Sequence, residues 1–310
     1  MISNKLVYNN HQFMSIKEHP PQIHVPVLLE ASLDALQPKE GESYLDLTAG
    51  YGGHARRFLQ QTENYTDSVL VDRDDYALEH LSDLETKGVR LLHTDFVNAA
   101  QQLIEEGKQF NIVLVDLGVS SPQLDQGQRG FSFTHQGPLD MRMDRRQLVS
   151  AETLVNTASS DELIRIITRY GEEPYGFAKR IAQAIIAARP IQTTDVLADL
   201  IKQNYRGKWK KIHPATRTFQ ALRIAVNDEL GQIEAVLPLL PQLLKPGGRV
   251  GVISFHSLED RLVKQYFKEQ QHAGFEAILE VLTKKPLDGA TYDVHNPRSR
   301  SAKLRVAVKK

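Results

Sequence analysis

The chain has 310 residues, and its 38 Lys and Arg residues balance 38 Asp and Glu residues, which leaves a formal net charge of zero. Zero net charge gives no global signal for nucleic-acid binding, so any basic surface must be local. The absence of Cys excludes disulfides, thiolate metal ligands and a Cys nucleophile. No apolar run is long enough to span a membrane and no signal pattern opens the chain, which favours a cytoplasmic address.

The N-terminal part begins with polar residues and then predicts a cofactor-binding unit. Residues 1–23 predict a flexible extension, and Val27–Leu36 has apolar residues at helical spacing. Tyr44–His54 (YLDLTAGYGGH) then predicts a strand, a glycine turn at Gly50–Gly53 and a helix that starts at about His54. Such a unit brings bare backbone close to a ligand and points helix N–H groups at it, which is typical of a nucleotide-type cofactor site.

Strands and helices continue to alternate after this unit. Strands are predicted at Ser68–Asp72, Val89–His93 and Phe110–Leu117, and helices at Tyr76–Leu84 and Ala99–Ile104. This alternation is typical of a parallel, doubly wound α/β sheet.

The alternation breaks after the fourth strand. Residues 118–137 are rich in Gly, Ser, Pro and Gln and predict a loop. Residues 137–214 predict an all-helical insert, which divides the sheet domain into residues 24–136 and 215–310. The second part predicts, in order, a long helix, a fifth strand, a helix and a closing pair of strands: Ala221–Leu244, Val250–Phe255, Leu258–Phe267, Phe275–Leu282 and Leu304–Val308.

Two cofactors remain open from these patterns. Asp72 lies about 20 residues past the glycines, where a dinucleotide fold places its ribose-binding acid. However, the turn lacks the third spaced glycine of that fingerprint. Asp46 precedes the turn, where it could hold a charged amino group or simply cap the turn. Lys245–Gly248 (KPGG) resembles the turn before the fifth strand of Rossmann-like methyltransferases, so S-adenosylmethionine is favoured over NAD.

Five stretches are similar to one family: Asp116–Gly137 (DLGVSSPQLDQGQRGFSFTHQG), Leu139–Met143 (LDMRM), His213–Leu230 (HPATRTFQALRIAVNDEL), Ile253–Lys264 (ISFHSLEDRLVK) and Asn296–Arg305 (NPRSRSAKLR). The family comprises bacterial methyltransferases that act on N4 of a cytosine in the decoding region of 16S ribosomal RNA. The similarity runs from His24 to the C-terminus. It implies a Rossmann-like class I S-adenosylmethionine-dependent methyltransferase sheet with an all-helical insertion.

The resemblance also implies which residues bind S-adenosylmethionine. Seven positions match the cofactor contacts of the family: Gly52, Gly53, His54, Asp72, Phe96, Asp116 and Gln123. A carboxylate such as Asp72 accepts hydrogen bonds from two ribose hydroxyls. Phe96 offers a flat apolar face to the adenine. Asp95, beside it, could simply cap a helix.

The expected chemistry follows from the implied substrate. The lone pair of the cytosine N4 amine is delocalised into the ring, so the protein must place the amine in line with the S–CH3 bond and accept its hydrogens. The resemblance implies Asp116, Ser121 and Pro122 as catalytic residues, and no general base is assigned. Other amino-methyltransferases have a second Pro and an aromatic residue here, which this chain lacks. Three residues are candidates to stack on the base instead: Phe131, Phe133 and His256.

The implied partner is 16S ribosomal RNA in the small ribosomal subunit. Two basic clusters are candidates to bind it: Arg206, Lys208, Trp209, Lys210 and Lys211 in the insert, and Arg298, Arg300, Lys303 and Arg305 near the C-terminus. Such groups bind phosphates and stack on single-stranded bases. The insert cluster could equally be a solvated face, and Trp209 could pack within the insert.

Other hypotheses stay open beside this one. They are a related methyltransferase acting on another nucleic acid, a protein or a small molecule, a cofactor-binding DNA-associated protein, and an NAD-dependent oxidoreductase. A metal is rejected, because no carboxylate or second His lies at ligand spacing from His213 or His256. Met141 and Met143 are expected to pack rather than touch cofactor. An apolar stripe on the insert could be the face of a homodimer or ordinary core.

Overall fold

The computed structural model describes residues 26–207 and 213–310, so the predicted extension and the Lys208–Lys211 part of the first basic cluster lie outside the described residues. The described chain builds a central sheet of eight strands: β1 Tyr44–Asp46, β2 Val69–Asp72, β3 Arg90–His93, β4 Phe110–Asp116, β5 Leu244–Ser254, β6 Leu279–Val281, β7 Leu287–Asp288 and β8 Lys303–Lys309. Their order is β3-β2-β1-β4-β5-β8-β6, with β7 beside β8.

The first five strands are parallel, and β8 runs antiparallel to β5. This arrangement confirms the predicted Rossmann-like α/β sheet and the predicted closing pair. The strand order reverses between β1 and β4, and ligands of open α/β sheets bind in the crevice at such a reversal.

Fourteen α-helices occur in the described part of the chain: α1 Leu29–Leu36, α2 Gly53–Thr62, α3 Asp75–Glu79, α4 Ser82–Thr86, α5 Phe96–Glu105, α6 Ser121–Asp125, α7 Ala151–Thr157, α8 Ser160–Gly171, α9 Tyr175–Ala188, α10 Thr194–Gln203, α11 Thr216–Asn227, α12 Glu229–Val236, α13 Ser257–His272 and α14 Gly289–Tyr292. None of these helices is both long and apolar enough to cross a membrane.

Helices cover both faces of the sheet. Alternate β4 residues show the two layers, because Val113 and Val115 pack with α5, α12 and α13, whereas Ile112 and Leu114 pack with α1 and α2. A strand that is buried on both faces has a nearly continuous apolar sequence, as β4 does.

A separate core holds the helical part of the chain together. Helices α7, α8, α9 and α10 pack around it, and so do Phe131 and Met141 from the segment before them and Phe219 and Leu222 from α11. The packed helical unit is therefore wider than residues 137–214.

Three predicted elements are wrong. The helix predicted over Tyr76–Leu84 is divided into α3 and α4, with His80 and Leu81 between them. The long helix over Ala221–Leu244 is broken, because Asp228 has a left-handed backbone with φ of 47° between α11 and α12, and a 3-10 helix with an internal proline, Leu237–Leu243, follows α12. The loop predicted after β4 contains α6, because its turn-forming residues act as a helix start. The Gln123 side chain accepts a hydrogen bond from the Ser120 backbone N–H at 3.1 Å, and Pro122 stands in the first turn.

Candidate active site

A cavity of about 390 Å³ lies along the carboxyl ends of the parallel strands. It brings together most of the predicted site residues: Gly53, His54, Asp72, Phe96, Asp116, Ser121, Pro122 and Gln123 line it. Gly52 does not line it. The site is thus built at the edge where the strand order reverses.

The glycine turn lies between β1 and the first turn of α2. Gly50 and Gly52 have φ of 51° and 80°, a backbone region that disfavours side chains. A Cβ on Gly52 would lie 2.6 Å from the Leu81 side chain, and one on Gly53 would lie 2.4 Å from Pro26. These two glycines let the turn pack against the protein, while Gly50, Tyr51 and Gly53 face the cavity.

Asp72, at the end of β2, fixes this turn. Its Oδ2 accepts a hydrogen bond from the Gly50 N–H at 2.7 Å, and its Oδ1 accepts one from the Asp74 N–H at 2.8 Å. Burial raises the pKa of Asp72. Each oxygen of a carboxylate has two acceptor sites, so Asp72 keeps capacity for hydroxyl donors in the cavity.

Asp46, at the end of β1, has a different position from the one that its sequence context suggested. Its side chain is 1% exposed and does not line the cavity. It accepts hydrogen bonds from the Tyr44 hydroxyl at 2.7 Å and from the Thr48 N–H at 3.0 Å, and burial raises its pKa to about 6. The Tyr44 ring stacks on Phe58 with 4.8 Å between centroids. Asp46 therefore caps the turn and does not face a cofactor amino group.

Asp95 and Phe96 follow β3. Asp95 Oδ1 accepts hydrogen bonds from the N–H groups of Val97 and Asn98, at 3.0 and 2.9 Å, so Asp95 is the N-cap of α5. The cap places Phe96, the first residue of the helix, on the cavity wall. This apolar ring lies beside Asp95, one strand away from Asp72.

Asp116 and His54 form the buried centre of the cavity. His54 Nε2 lies 3.1 Å from the Val27 carbonyl oxygen, which only accepts, so Nε2 carries the hydrogen and Nδ1 has a lone pair. Asp116 Oδ2 lies 3.5 Å from that Nδ1. Burial lowers the pKa of His54 to about 4, whereas burial, Asp46 and Glu259 raise the pKa of Asp116. Both shifts favour the neutral form of the group concerned.

The other oxygen of Asp116 is an unused acceptor. Asp116 Oδ1 is buried and has no hydrogen-bond partner among the described residues. A buried acceptor without a donor is costly, which favours a ligand that supplies one. Asp116 Oδ1 thus suits the hydrogen of an amine that enters the cavity.

The loop after β4 is held by a buried ionic network that the sequence did not predict. The Gln123 amide donates to Asp74 Oδ2 at 2.8 Å, and Arg129 Nη1 contacts the same oxygen at 2.6 Å. The side chains of Arg129 and Asp74 are only 4% and 1% exposed. Arg129 Nη2 also donates to the carbonyl groups of Arg142 and Met143. The Gln123 amide thus positions the loop, and its predicted cofactor contact stays a prediction.

The wall beyond Asp116 contains residues that sequence reasoning missed: Arg223, Glu229, Phe255 and Glu259 line it. None of the three predicted stacking residues lines the cavity, and their stacking on a base stays a prediction. Phe131 packs in the helical core, and Phe133 packs on Phe219 with 4.9 Å between centroids. His256 accepts a hydrogen bond from the Glu259 N–H through Nδ1. A signal was present in the sequence, because Phe255 directly follows a buried strand.

A cluster of potential metal ligands also lies beside this wall. Ligand atoms of Glu229, His256 and Glu259 lie within 4.8 Å of one another, so the expectation that no carboxylate accompanies His256 was wrong. Arg223 donates to both oxygens of Glu229 at 2.8 and 2.7 Å, so that carboxylate already has a cation. His256 Nε2 lies 3.2 Å from Glu259 Oε1, but neither atom makes a hydrogen bond within the described residues. The absence of a metal stays a prediction.

The predicted C-terminal basic cluster is only partly available for binding. Lys303 and Arg305 contact Asp260 at 2.8 and 2.9 Å, and Arg305 is buried. Arg298 lines the cavity and contacts Asp125 of α6 at 2.6 Å. Met143, expected to pack, also lines the cavity, while Met141 is fully buried.

Comparisons with known proteins agree on one family. Residues 21–310 match the model of the MraW methylase family. A relative from Synechocystis sp., named ribosomal RNA small subunit methyltransferase H, is 47% identical over 297 residues and covers 92% of this chain and 93% of the relative. Relatives with the same name are 47% identical in Cyanothece sp., covering 93% and 95%, and in Citrifermentans bemidjiense, covering 92% and 98%.

The likeness to solved structures is weaker. An rRNA methylase from Streptococcus thermophilus is 11% identical with a TM-score of 0.39, and covers 92% of this chain and 98% of that one. The assignment therefore rests on the sequence matches, which extend over nearly the whole chain. The chain belongs to the MraW methylase family.

Proposed function

We propose that the chain transfers a methyl group from S-adenosylmethionine to N4 of a cytosine in small-subunit ribosomal RNA. The names of the relatives and the similarity to the cytosine-N4 family support this substrate. The observation that carries the proposal is the unpartnered Oδ1 of Asp116, buried in the same cavity as Asp72. This arrangement places an acceptor for an amine hydrogen beside residues that suit a nucleoside.

The residues of the cavity fit the proposed cofactor. Asp72 would accept hydrogen bonds from the ribose hydroxyls, and Phe96 would lie against the adenine. The turn brings the backbone of Gly50 and Gly53 to the cavity, beside the Tyr51 residue. Bound there, the cofactor supplies an activated methyl group on a cationic sulfur.

The chain's own residues have to place and desolvate the amine. Asp116 Oδ1 accepts one N4 hydrogen, which orients the amine lone pair towards the methyl carbon. Ser121 and Pro122 line the cavity next to Asp116 and exclude water from this side. As the new N–C bond forms and the S–C bond breaks, the surplus amine proton leaves to water. No residue is required to remove it beforehand.

We also propose that residues 137–214 contribute to RNA recognition. Arg206 in the insert and Arg300 near the C-terminus are exposed, and Arg298 lies at the cavity. Cations attract phosphates, so the affinity for RNA should fall when salt is added. A ribosomal RNA substrate also implies a cytoplasmic protein.

A homodimer is a further part of the proposal. Tyr175, Ile186 and Val196 are exposed apolar residues on α9 and α10, away from the cavity. A patch of this kind on a helical unit suits a second copy of the chain. Sedimentation of the protein and of a Tyr175→Ser/Val196→Ser variant measures whether this face pairs two copies.

The proposed reaction is tested with small subunits from a strain that lacks the protein. Purified protein and methyl-labelled S-adenosylmethionine are added, and the nucleosides of the digested RNA are separated. Label in N4-methylcytidine is the expected result. Label in protein or DNA alone would leave the fold intact and refute the substrate.

A further inference from the structure

The cavity continues beyond Asp116 to a wall that the proposed cofactor contacts do not use. Phe96 follows β3 and Phe255 follows β5. These two strands lie on opposite sides of the β1–β4 pair, so the two phenylalanines lie at opposite ends of the site. Asp116 lies between them. The second end contains an aromatic ring and three ionised side chains, Arg223, Glu229 and Glu259.

We propose that this second end, defined by Gly118, Arg223 and Phe255, is the pocket that holds the flipped target cytosine. The inference rests on the proposed function and adds the base-recognition residues to it. Phe255 stacks on the base, and Arg223 reads its O2 and N3 edge while N4 points towards Asp116.

Phe255 is held where a base next to Asp116 would need a stacking face. Its ring carbon Cδ2 would lie 3.5 Å from a Cβ on Gly118, two residues beyond Asp116. Its backbone N–H donates to Glu259 Oε2 at 2.7 Å, which fixes the turn after β5. Gly118 puts no side chain against this part of the ring. Stacking on an aromatic ring is the usual way in which proteins hold an unstacked base.

Arg223 offers a hydrogen-bond donor of fixed direction. Its Nε and Nη2 donate to the two oxygens of Glu229, and Nη1 has no hydrogen-bond partner in the described part of the chain. The guanidinium lines the cavity. Cytosine presents acceptors at O2 and N3, whereas uracil has a donor at N3, and Arg is a donor only. Nη1 therefore favours cytosine over uracil.

Glu259 lies beside both groups. A Cβ on Gly118 would lie 3.8 Å from Glu259 Oε1 and 3.5 Å from the Phe255 ring. Ligand atoms of Glu259 and of Glu229, which Arg223 contacts, lie within 4.8 Å of each other. In the proposed pocket, a base stacked on Phe255 turns its Watson–Crick edge, which carries N4, N3 and O2, towards Asp116 and Arg223.

The test uses the small-subunit methylation assay, with four variants and the Kd for S-adenosylmethionine of each. Phe255→Leu removes the ring and keeps apolar volume, whereas Phe255→Tyr keeps the ring. Arg223→Lys keeps the charge beside Glu229 and removes the planar donor. Arg217→Lys makes the same exchange at an exposed position of α11 and is the matched control.

Phe255→Leu is expected to lower kcat/KM about 10- to 100-fold, the effect of losing one stacked base. Arg223→Lys is expected to lower kcat/KM by a similar factor, which is the typical loss when one hydrogen-bonded contact to a base edge is removed. Phe255→Tyr keeps the stacking ring and should therefore retain more activity than Phe255→Leu. Arg217→Lys should stay near wild type, and all four variants should bind the cofactor with unchanged Kd. Full turnover in Phe255→Leu and Arg223→Lys, or losses matched by weaker cofactor binding, would overturn the pocket alone. An inactive wild type would overturn the proposed function and the pocket with it.

Discussion

His54 and Asp116 face each other in the buried centre of the site, with 3.5 Å between Nδ1 and Oδ2. The Val27 carbonyl fixes the hydrogen of His54 on Nε2, so only a protonated Asp116 can donate to Nδ1. A proton on Oδ2 would leave Oδ1 as a carbonyl-type acceptor, and Oδ1 meets no donor within residues 26–207 and 213–310. In this state Asp116 offers the same acceptor as an asparagine would.

Substitutions of Asp116 test that equivalence. Asp116→Asn keeps a carbonyl oxygen and a donor towards His54, so methylation should stay within about tenfold of wild type. Asp116→Ala removes the acceptor and should lower kcat by about 10²- to 10³-fold, the typical effect of losing one preorganised polar contact. Initial rates of RNA methylation measure both, with calorimetry of cofactor binding as the control. If Asn is as poor as Ala, Asp116 acts as a carboxylate and the neutral pair is wrong.

The raised pKa of Asp116 also predicts how stability depends on pH. The pKa of Asp116 in the folded chain lies above its ordinary value of 3.8. The contribution of protonated Asp116 to the stability of the fold is therefore complete below pH 3.8, and it is lost as the pH rises through the folded pKa. Asparagine does not ionise and avoids this loss. Asp116→Asn should therefore unfold at higher urea than wild type at pH 8 and at the same urea near pH 4. Equal midpoints at pH 8 would show that the folded pKa is not raised.

The buried pair of Arg129 and Asp74 should contribute strongly to stability and to the position of the active-site loop. Arg129→Met leaves the Asp74 charge buried without its cation, which typically costs about 3–5 kcal/mol of unfolding free energy. Asp74→Asn in the same chain removes the uncompensated charge and should recover part of that loss. Urea unfolding of both single variants and the double variant measures the coupling. Strictly additive losses would contradict a direct pair.

How well the sequence predicts this molecule depends on how local each feature is. The glycine turn and Asp72 belong to strand–turn–helix units, so motif and order suffice to place them at one edge of the sheet, whereas Phe96 was expected from the family resemblance. β7 has only two residues and leaves no apolar pattern to detect. The break at Asp228 was missed because apolar periodicity does not report a left-handed backbone.

The second wall of the site is a tertiary feature. Arg223 comes from α11 and Phe255 from the turn after β5, and they meet only once β5 has paired with β4. Similarly, Arg129 and Asp74 form an ion pair although they are 55 positions apart in the sequence, so no spacing rule links them. Sequence patterns predicted the cofactor side of the cavity in detail and the base side hardly at all.

The glycine turn allows a test in which two similar substitutions should differ. Gly50 and Gly52 both have positive φ, and alanine in that region costs about 1–2 kcal/mol. A Cβ on Gly50 would meet its nearest atom at 3.9 Å, whereas one on Gly52 would lie 2.6 Å from the buried Leu81 side chain. The free energy of unfolding of Gly52→Ala should therefore be about 1–3 kcal/mol lower than that of Gly50→Ala, because of overpacking against Leu81. Urea unfolding without cofactor measures the difference, because Gly50 faces the cavity and a ligand would obscure the comparison. Equal losses would mean that the packing of Leu81 against the turn is loose, and that Gly52 is required only for its backbone conformation.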